Sequence, residues 1–304
     1  MQKKSRIYVA GHIGFVGDAL ACKLRELGFR NLILRTHSQM DLTDQDKVDK
    51  FFKELRPEYV FLLAGKVGGI YANNAYPADF IYQNCVIQAN VIHAAYKYKV
   101  KKLLFPGSAC MYPKYCPQPM KEEYLLTGPI EPTNEPFAVA KIAGVKMCQA
   151  YNRQYKTNFI SVVPATIYGP KDHFDINGHA MAALIKKFCG KKVKIWGSGK
   201  PKREFIFIDD IVDALIFLMK NYSGSEIINI GTGIEISIKD LAQRIKDVAL
   251  FKGKVTFEKD KPDGMPHRLL DSTKLLNMGW RPKIDLERGI KLTYEWYKIN
   301  VNKT

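Results

Sequence analysis

The feature that most constrains this chain is a regular exchange of strand-like and helix-like stretches through its first half. Short runs rich in β-branched and aromatic residues, at 6–10, 31–35, 59–63, 102–105 and 159–163, read as strands. Between them, stretches at 15–27, 44–55, 77–98 and 135–155 read as helices. Strands separated by helices must lie parallel and be covered on both faces, which predicts an α/β fold with a doubly wound parallel sheet. After Pro164 the alternation loosens. Loops carry Tyr168-Gly169-Pro170, Trp196-Gly197-Ser198-Gly199 and Pro262-Asp263-Gly264, and helices recur near 180–189, 209–221, 237–250 and 285–298. A length of 304 residues suits about two domains. The expected division is a sheet domain over 1–165, with segments near 204–232 returning to it, and a smaller α/β domain over 166–304.

Gly11, Gly14 and Gly17 stand where the first strand meets the first helix. Glycines at this junction allow the tight turn, let the backbone approach a pyrophosphate, and let helix and strand pack closely. The position points to a dinucleotide site, although any α/β protein can carry a glycine-rich turn there. The end of the second strand sorts the cofactors. An acidic residue would bond a ribose 2′-hydroxyl, whereas a basic one accommodates a 2′-phosphate. Arg35 favours NADP(H) over NAD(H), unless it merely solvates the strand end.

Lys and Arg exceed Asp and Glu by 47 − 30 = 17. The excess suits an anionic partner such as a phosphorylated small molecule, or a generic lysine-rich surface. The basic residues are spread out and no nucleic-acid motif accompanies them, so no nucleic-acid partner is expected. No apolar run is long enough for a membrane span, and the apolar stretch 7–10 is too short for a signal-peptide core. The expectation is a cytoplasmic protein without a membrane partner. The six cysteines lack Cys-x-x-Cys spacing, so reduced thiols and no metal site are expected.

A third pattern concerns proton transfer. Short-chain dehydrogenases pair Tyr-x-x-x-Lys on a helix with a Ser at an earlier strand end. The Lys bonds the ribose and lowers the phenol pKa, and the Tyr moves a proton to or from the substrate oxygen. Here Ser108 follows the fourth strand and Lys141 lies on the long helix, but the residue four before it is Phe137. A benzene ring has no proton to give. Spacing alone leaves open that Phe137 and Lys141 merely share a helix face.

The chain resembles the GDP-L-fucose synthase family, extended short-chain dehydrogenases that epimerise and reduce GDP-4-keto-6-deoxymannose. The resemblance rests on Val9-Ala-Gly-His12, Lys66-Val-Gly-Gly-Ile70, Tyr76-Pro-Ala-Asp-Phe-Ile-Tyr-Gln-Asn84, Glu131-Pro-Thr-Asn-Glu-Pro136, Ala140-Lys-Ile-Ala-Gly144, Tyr151-Asn-Arg-Gln-Tyr155, Arg203-Glu-Phe205 and Asn229-Ile-Gly-Thr-Gly233. It implies a Rossmann-type domain with a smaller substrate-binding domain. It also implies NADP(H) contacts from Gly11, Gly14, Phe15, Val16, Gly17, Arg35, Leu63, Ala64, Gly65, Lys141, Pro164 and His179. Ser108 would bond the substrate carbonyl, and Cys110 and His179 would exchange protons at the carbons flanking the ketone. From the residues alone, Cys110 reads as packing and His179 as a cap. GDP contacts fall on Lys187, Trp196, Arg203, Asp263 and Arg268, although Trp196 also suits a core aromatic. A homodimer is implied, through the helices at 77–98 and 135–155.

Three departures stand out. Ile13 and His37 replace arginines of the family, leaving Arg35 of that cluster. Pro164-Ala-Thr-Ile-Tyr168 replaces a stretch with an Asn, which suggests another sugar or weaker epimerisation. Phe137 replaces the catalytic Tyr, either as an introduced Tyr→Phe change in an otherwise intact set or as the native residue, so the expected activity is an impaired C4-keto reduction. The alternatives are a GDP-4-keto-heptose reductase of the kind used for bacterial capsules, and a non-catalytic nucleotide-sugar-binding homologue.

Overall fold

The computed structural model describes residues 1–175, 178, 180–190, 192–260 and 263–301. In chain order the first half holds β1 (Ile7–Ala10), α1 (Phe15–Glu26), β2 (Leu32–Ile33), α2 (Gln45–Leu55), β3 (Tyr59–Leu62), α3 (Ile70–Ala75), α4 (Pro77–Lys97), β4 (Lys102–Pro106), α5 (Glu135–Tyr155) and β5 (Phe159–Pro164). The second half holds β6 (Thr166–Tyr168), α6 (Ala180–Phe188), β7 (Val193–Trp196), β8 (Lys202–Phe207), α7 (Ile208–Asn221), β9 (Ile228–Ile230), β10 (Glu235–Ser237), α8 (Ile238–Val248), β11 (Val255–Glu258), α9 (Thr273–Asn277) and α10 (Leu286–Asn300).

Six strands form one parallel sheet in the order β2-β1-β3-β4-β5-β9. The chain steps one way from β1 to β2 and the other way from β1 to β3, so the order reverses between β1 and β3. Crevices form outside the strand ends at such a switch point. Val9, Val60, Phe61, Leu104 and Ile160 of the central strands are fully buried. Near-continuous apolar strands of this kind are what a sheet covered on both faces requires. Helices α2, α4 and α5 pack together over the sheet, and α1 packs with α7. The α5–β4 contact is close: a Cβ on Gly144 would run into the Phe105 ring. Gln88 of α4 donates to the Ala140 carbonyl of α5 at 2.6 Å.

Two features differ from the sequence pattern. Strand β2 pairs over two residues instead of the expected 31–35. Beyond it the segment closes into a turn, where Gln39 Oε1 accepts the Thr36 N–H at 3.0 Å. Helix α3 was not anticipated; it is a single short element ended just before Pro77. Of the segments near 204–232, β9 joins the large sheet, whereas β8 lies between β10 and β6 in a three-stranded sheet. Strands β7 and β11 form a separate parallel pair.

Candidate active site

The parallel strands end together, and the residues that follow them meet. Gly11 follows β1 with φ +85°, and a Cβ there would lie 2.8 Å from the Ala64 backbone nitrogen beyond β3. A Cβ on Gly17 would fall on the Gly11 carbonyl oxygen. Gly14 caps α1 in an extended conformation without a side-chain bond. Phe15 and Val16 form the first turn of α1, whose N–H groups are the natural seat of a pyrophosphate. His12 Nδ1 is buried beside them without a partner among the described residues. The cradle that bulkier residues would fill and this orphaned polar atom both fit a dinucleotide.

Leu63 closes β3 by donating its N–H to Ala10 O at 3.0 Å. A Cβ on Gly65 would meet the Asn84 side chain and lie 3.9 Å from Lys141 Nζ, so the end of β3 touches α5. Pro164 closes β5 opposite Ile230. Arg35 and His37 stand exposed after β2, the Arg35 guanidinium donating to Leu34 O at 2.9 Å. Ile13 is 66% exposed at the mouth of the glycine loop.

Ser108 caps a 3-10 turn over Ala109–Met111 that carries Cys110. The Cys110 thiol donates to Ser108 Oγ at 3.2 Å. Burial pushes the thiol pKa up, opposed by Arg268, the Ser108 bond and Lys141. Lys141 is 5% exposed, with Nζ 4.7 Å from the Phe105 ring centroid and 5.8 Å from that of Phe137. Desolvation brings its pKa down to about 8. Phe80 meets Phe137 edge-on with centroids 6.1 Å apart. A phenyl ring therefore stands beside Lys141, one helical turn away, where the short-chain pattern has a phenol. His179 lies outside the described residues.

A second group stands farther along the chain. Arg203 on β8 donates to Lys202 O at 2.8 Å and reaches Asp263 O at 3.5 Å. Burial, and then Arg268 nearby, bring its pKa down to about 9. Burial also lowers Arg268, whose Nε has no partner among the described residues. The acid that faces both guanidinium groups, Glu131, is buried and already paired with Lys114 at 2.9 Å. Two desolvated arginines with a shared, engaged counter-ion make a field that a diphosphate would relieve. The Asp263 carboxylate accepts from Ser198 N–H and Oγ, both at 2.7 Å. Lys187 donates to Lys194 O at 2.6 Å and lies 5.9 Å from the Trp196 ring. Trp196 is 47% exposed, so it is not the core aromatic its sequence also allowed.

The structure thus brings Ser108, Cys110, Lys141 and Phe137 together, and Cys110 near Arg268. Sequence reasoning passed over Glu131 and Lys114. The signal was available in part, since Glu131 opens one of the stretches that carry the resemblance, but its ion pair is not visible in the sequence.

Comparison with known proteins agrees with this architecture. Residues 7–231 match the NAD dependent epimerase/dehydratase family model. The chain is 54% identical over 99% of its length to a putative GDP-L-fucose synthase 2 of Arabidopsis thaliana, covering 94% of that protein. The chain belongs to this family, among the GDP-L-fucose synthase relatives. Its fold superposes on a GDP-6-OMe-4-keto-L-xylo-heptose reductase from C. jejuni with TM-score 0.94 and 43% identity, covering 98% of this chain and 99% of that one. A GDP-mannoheptose C4 reductase from Campylobacter jejuni with NADP bound matches with TM-score 0.90 and 44% identity, covering 98% and 99%.

Proposed function

We propose that this chain is an NADP(H)-dependent oxidoreductase acting on the C4 ketone of a GDP-linked sugar, with reduction slowed by Phe137. The observation that carries the reading is buried Lys141, which lies beside the Phe137 ring on α5 and near the end of β3, while α5 packs on the turn after β4 where Cys110 bonds Ser108. The cofactor supplies a hydride to carbon when bound. The chain's own residues do the rest. The glycine loop, Phe15 and Val16 seat the pyrophosphate, with Leu63, Ala64, Gly65 and Pro164 along the strand ends. Arg35 faces the 2′-phosphate, and Lys141 orients the ribose. Ser108 donates to the substrate carbonyl oxygen. Position 137 is where a proton would be given to that oxygen as it gains charge, and a phenyl ring cannot give one. Lys187, Trp196, Arg203, Asp263 and Arg268 hold the GDP moiety between the Rossmann-type part and the smaller substrate part. Cys110 and His179 are positioned in sequence for proton exchange at the carbons flanking the ketone, a step that needs no phenol. The exposed Ile81, Tyr82, Val139 and Tyr155 on α4 and α5 support a homodimer through those helices.

The test is Phe137→Tyr. Loss of a general acid typically removes about 10²–10⁴ in rate, so the variant should reduce GDP-4-keto-6-deoxymannose at least about 10²-fold faster. Stopped-flow absorbance at the nicotinamide band reads this directly, and equal rates would overturn the proton-donor role. The C. jejuni likeness favours a second reading, reduction of a GDP-4-keto-heptose without epimerisation. Solvent deuterium entering C3 or C5 distinguishes the two.

A further inference from the structure

Among the described residues, one polar pair lies close to the reaction face and has no assigned task. Thr133 and Asn134 end a 3-10 turn, Pro132–Asn134, that leads straight into α5. Asn134 is the N-cap residue of α5, yet its side chain makes no cap bond. Asparagine at that position ordinarily accepts a first-turn N–H, and is among the best residues for doing so. Here Asn134 Oδ1 is buried with no partner among the described residues, and Thr133 Oγ1 is the same. Buried polar atoms left unpaired are costly, so one that forgoes a local bond is open to a partner that arrives from outside.

The placement says which partner. Asn134, Phe137 and Lys141 stand at i, i+3 and i+7, which is one face of a helix. Lys141 and Phe137 already share that face, with Nζ 5.8 Å from the ring. Glu131, three residues before Asn134, faces Arg203 and Arg268 electrostatically, and Arg268 in turn faces Cys110. Arg268 Nε is a third buried atom without a partner. Asn134 donates its N–H to Glu131 O at 3.2 Å, so it joins the acid that faces the arginines to the turn of α5 that carries the position where the ketone would be protonated. The group that lies between a diphosphate and a C4 ketone is the sugar ring with its hydroxyls.

We propose that Asn134, with Thr133 beside it, is a specificity-determining residue that hydrogen-bonds a hydroxyl of the sugar ring. This rests on the GDP-sugar reading above. It goes beyond that reading by assigning recognition of the sugar itself, apart from its nucleotide. Its side-chain oxygen accepts a ring O–H and its amide N–H₂ donates to a neighbouring oxygen. The helix end stays uncapped in the free protein so that this bond remains available.

The test exploits the capping chemistry. Ser caps helices about as well as Asn and Thr nearly so, so Asn134→Ser and Asn134→Thr preserve the cap position while removing the amide and drawing the oxygen back toward the backbone. Binding of GDP and of GDP-4-keto-6-deoxymannose is measured by calorimetry in each protein, with NADP present. The expected result is that both variants keep their thermal midpoint and their GDP affinity within about twofold, while affinity for the keto-sugar falls about tenfold or more. Unchanged keto-sugar affinity in the folded variants overturns the proposal. So does a parallel loss of GDP and keto-sugar binding, which marks a merely structural residue. Failure of the parent chain to bind the keto-sugar more tightly than GDP sinks the GDP-sugar reading instead, and this inference with it. In a Phe137→Tyr background the same variants should raise KM more than they lower kcat.

Discussion

Lys141 and Lys102 are both withdrawn from water, and they show what burial does to one cation with two surroundings. Lys141 faces aromatic rings and waits on the site. Lys102, at the start of β4, is 4% exposed and donates to Leu218 O at 3.1 Å, in the last turn of α7. A cation there meets the negative end of the helix dipole. Desolvation still dominates and brings its pKa down to about 8 from 10.5. Folded Lys102 therefore loses its proton at lower pH than unfolded Lys102. Between about 8 and 10.5 the unfolded chain holds the extra proton, and the contribution to stability rises with pH across that window. Lys102→Met removes this term. The stability of the parent minus that of the variant should grow from pH 8 to 10.5, by about 3 kcal/mol at most. Urea midpoints collected at each pH check it, and a flat difference would return the ammonium to its ordinary range.

Among elements, β8 does more than pair. The Glu204 carboxylate accepts N–H groups from Thr232 at 2.6 Å, Gly233 at 2.7 Å and Leu270 at 2.9 Å. Its own N–H donates to Arg268 O at 3.1 Å. One buried side chain thus clasps β8, the turn before β10 and the segment that carries Arg268. Glu204→Gln keeps the shape but turns an N–H₂ toward N–H donors. It should cost about 1–3 kcal/mol and weaken GDP binding more than NADP binding. Thermal melts with each ligand separate these effects; equal losses would make the clasp purely structural. This clasp also marks where reading the sequence stops. Strands β1, β3, β4 and β5 were legible because buried parallel strands are continuous β-branched and aromatic runs. Helix α5 was legible from end to end, and with it the spacing of Phe137 and Lys141. Strand β9 is three residues long and pairs only through a distant neighbour, so no local pattern announces it. Glu204 looks like any surface acid in sequence, since its partners are backbone groups 28 and 66 residues away. The Asn134 oxygen was invisible for the converse reason: its meaning lies in a bond that the chain does not make.

For the molecule as a whole, a net charge of +17 makes it an attractor of anions before any contact forms. Arg203, Arg268 and Lys187, proposed above to hold the diphosphate, carry part of that charge, and burial keeps it poorly screened. The association rate of GDP should fall about tenfold between low and high ionic strength, while guanosine, which lacks phosphates, should barely respond. Stopped-flow fluorescence at several salt concentrations measures both, and matching slopes would exclude a built anion field.

The sixth strand of the large sheet, Ile228–Ile230, arrives more than sixty residues after β5, which it flanks. A chain emerging from the ribosome therefore displays β5 as an open border until the later segment has been made. Val162 and Val163, fully buried once β9 is in place, spend that interval as bare, hydrogen-bond-hungry backbone. Synthesis that stalls before residue 228 leaves an adhesive fragment.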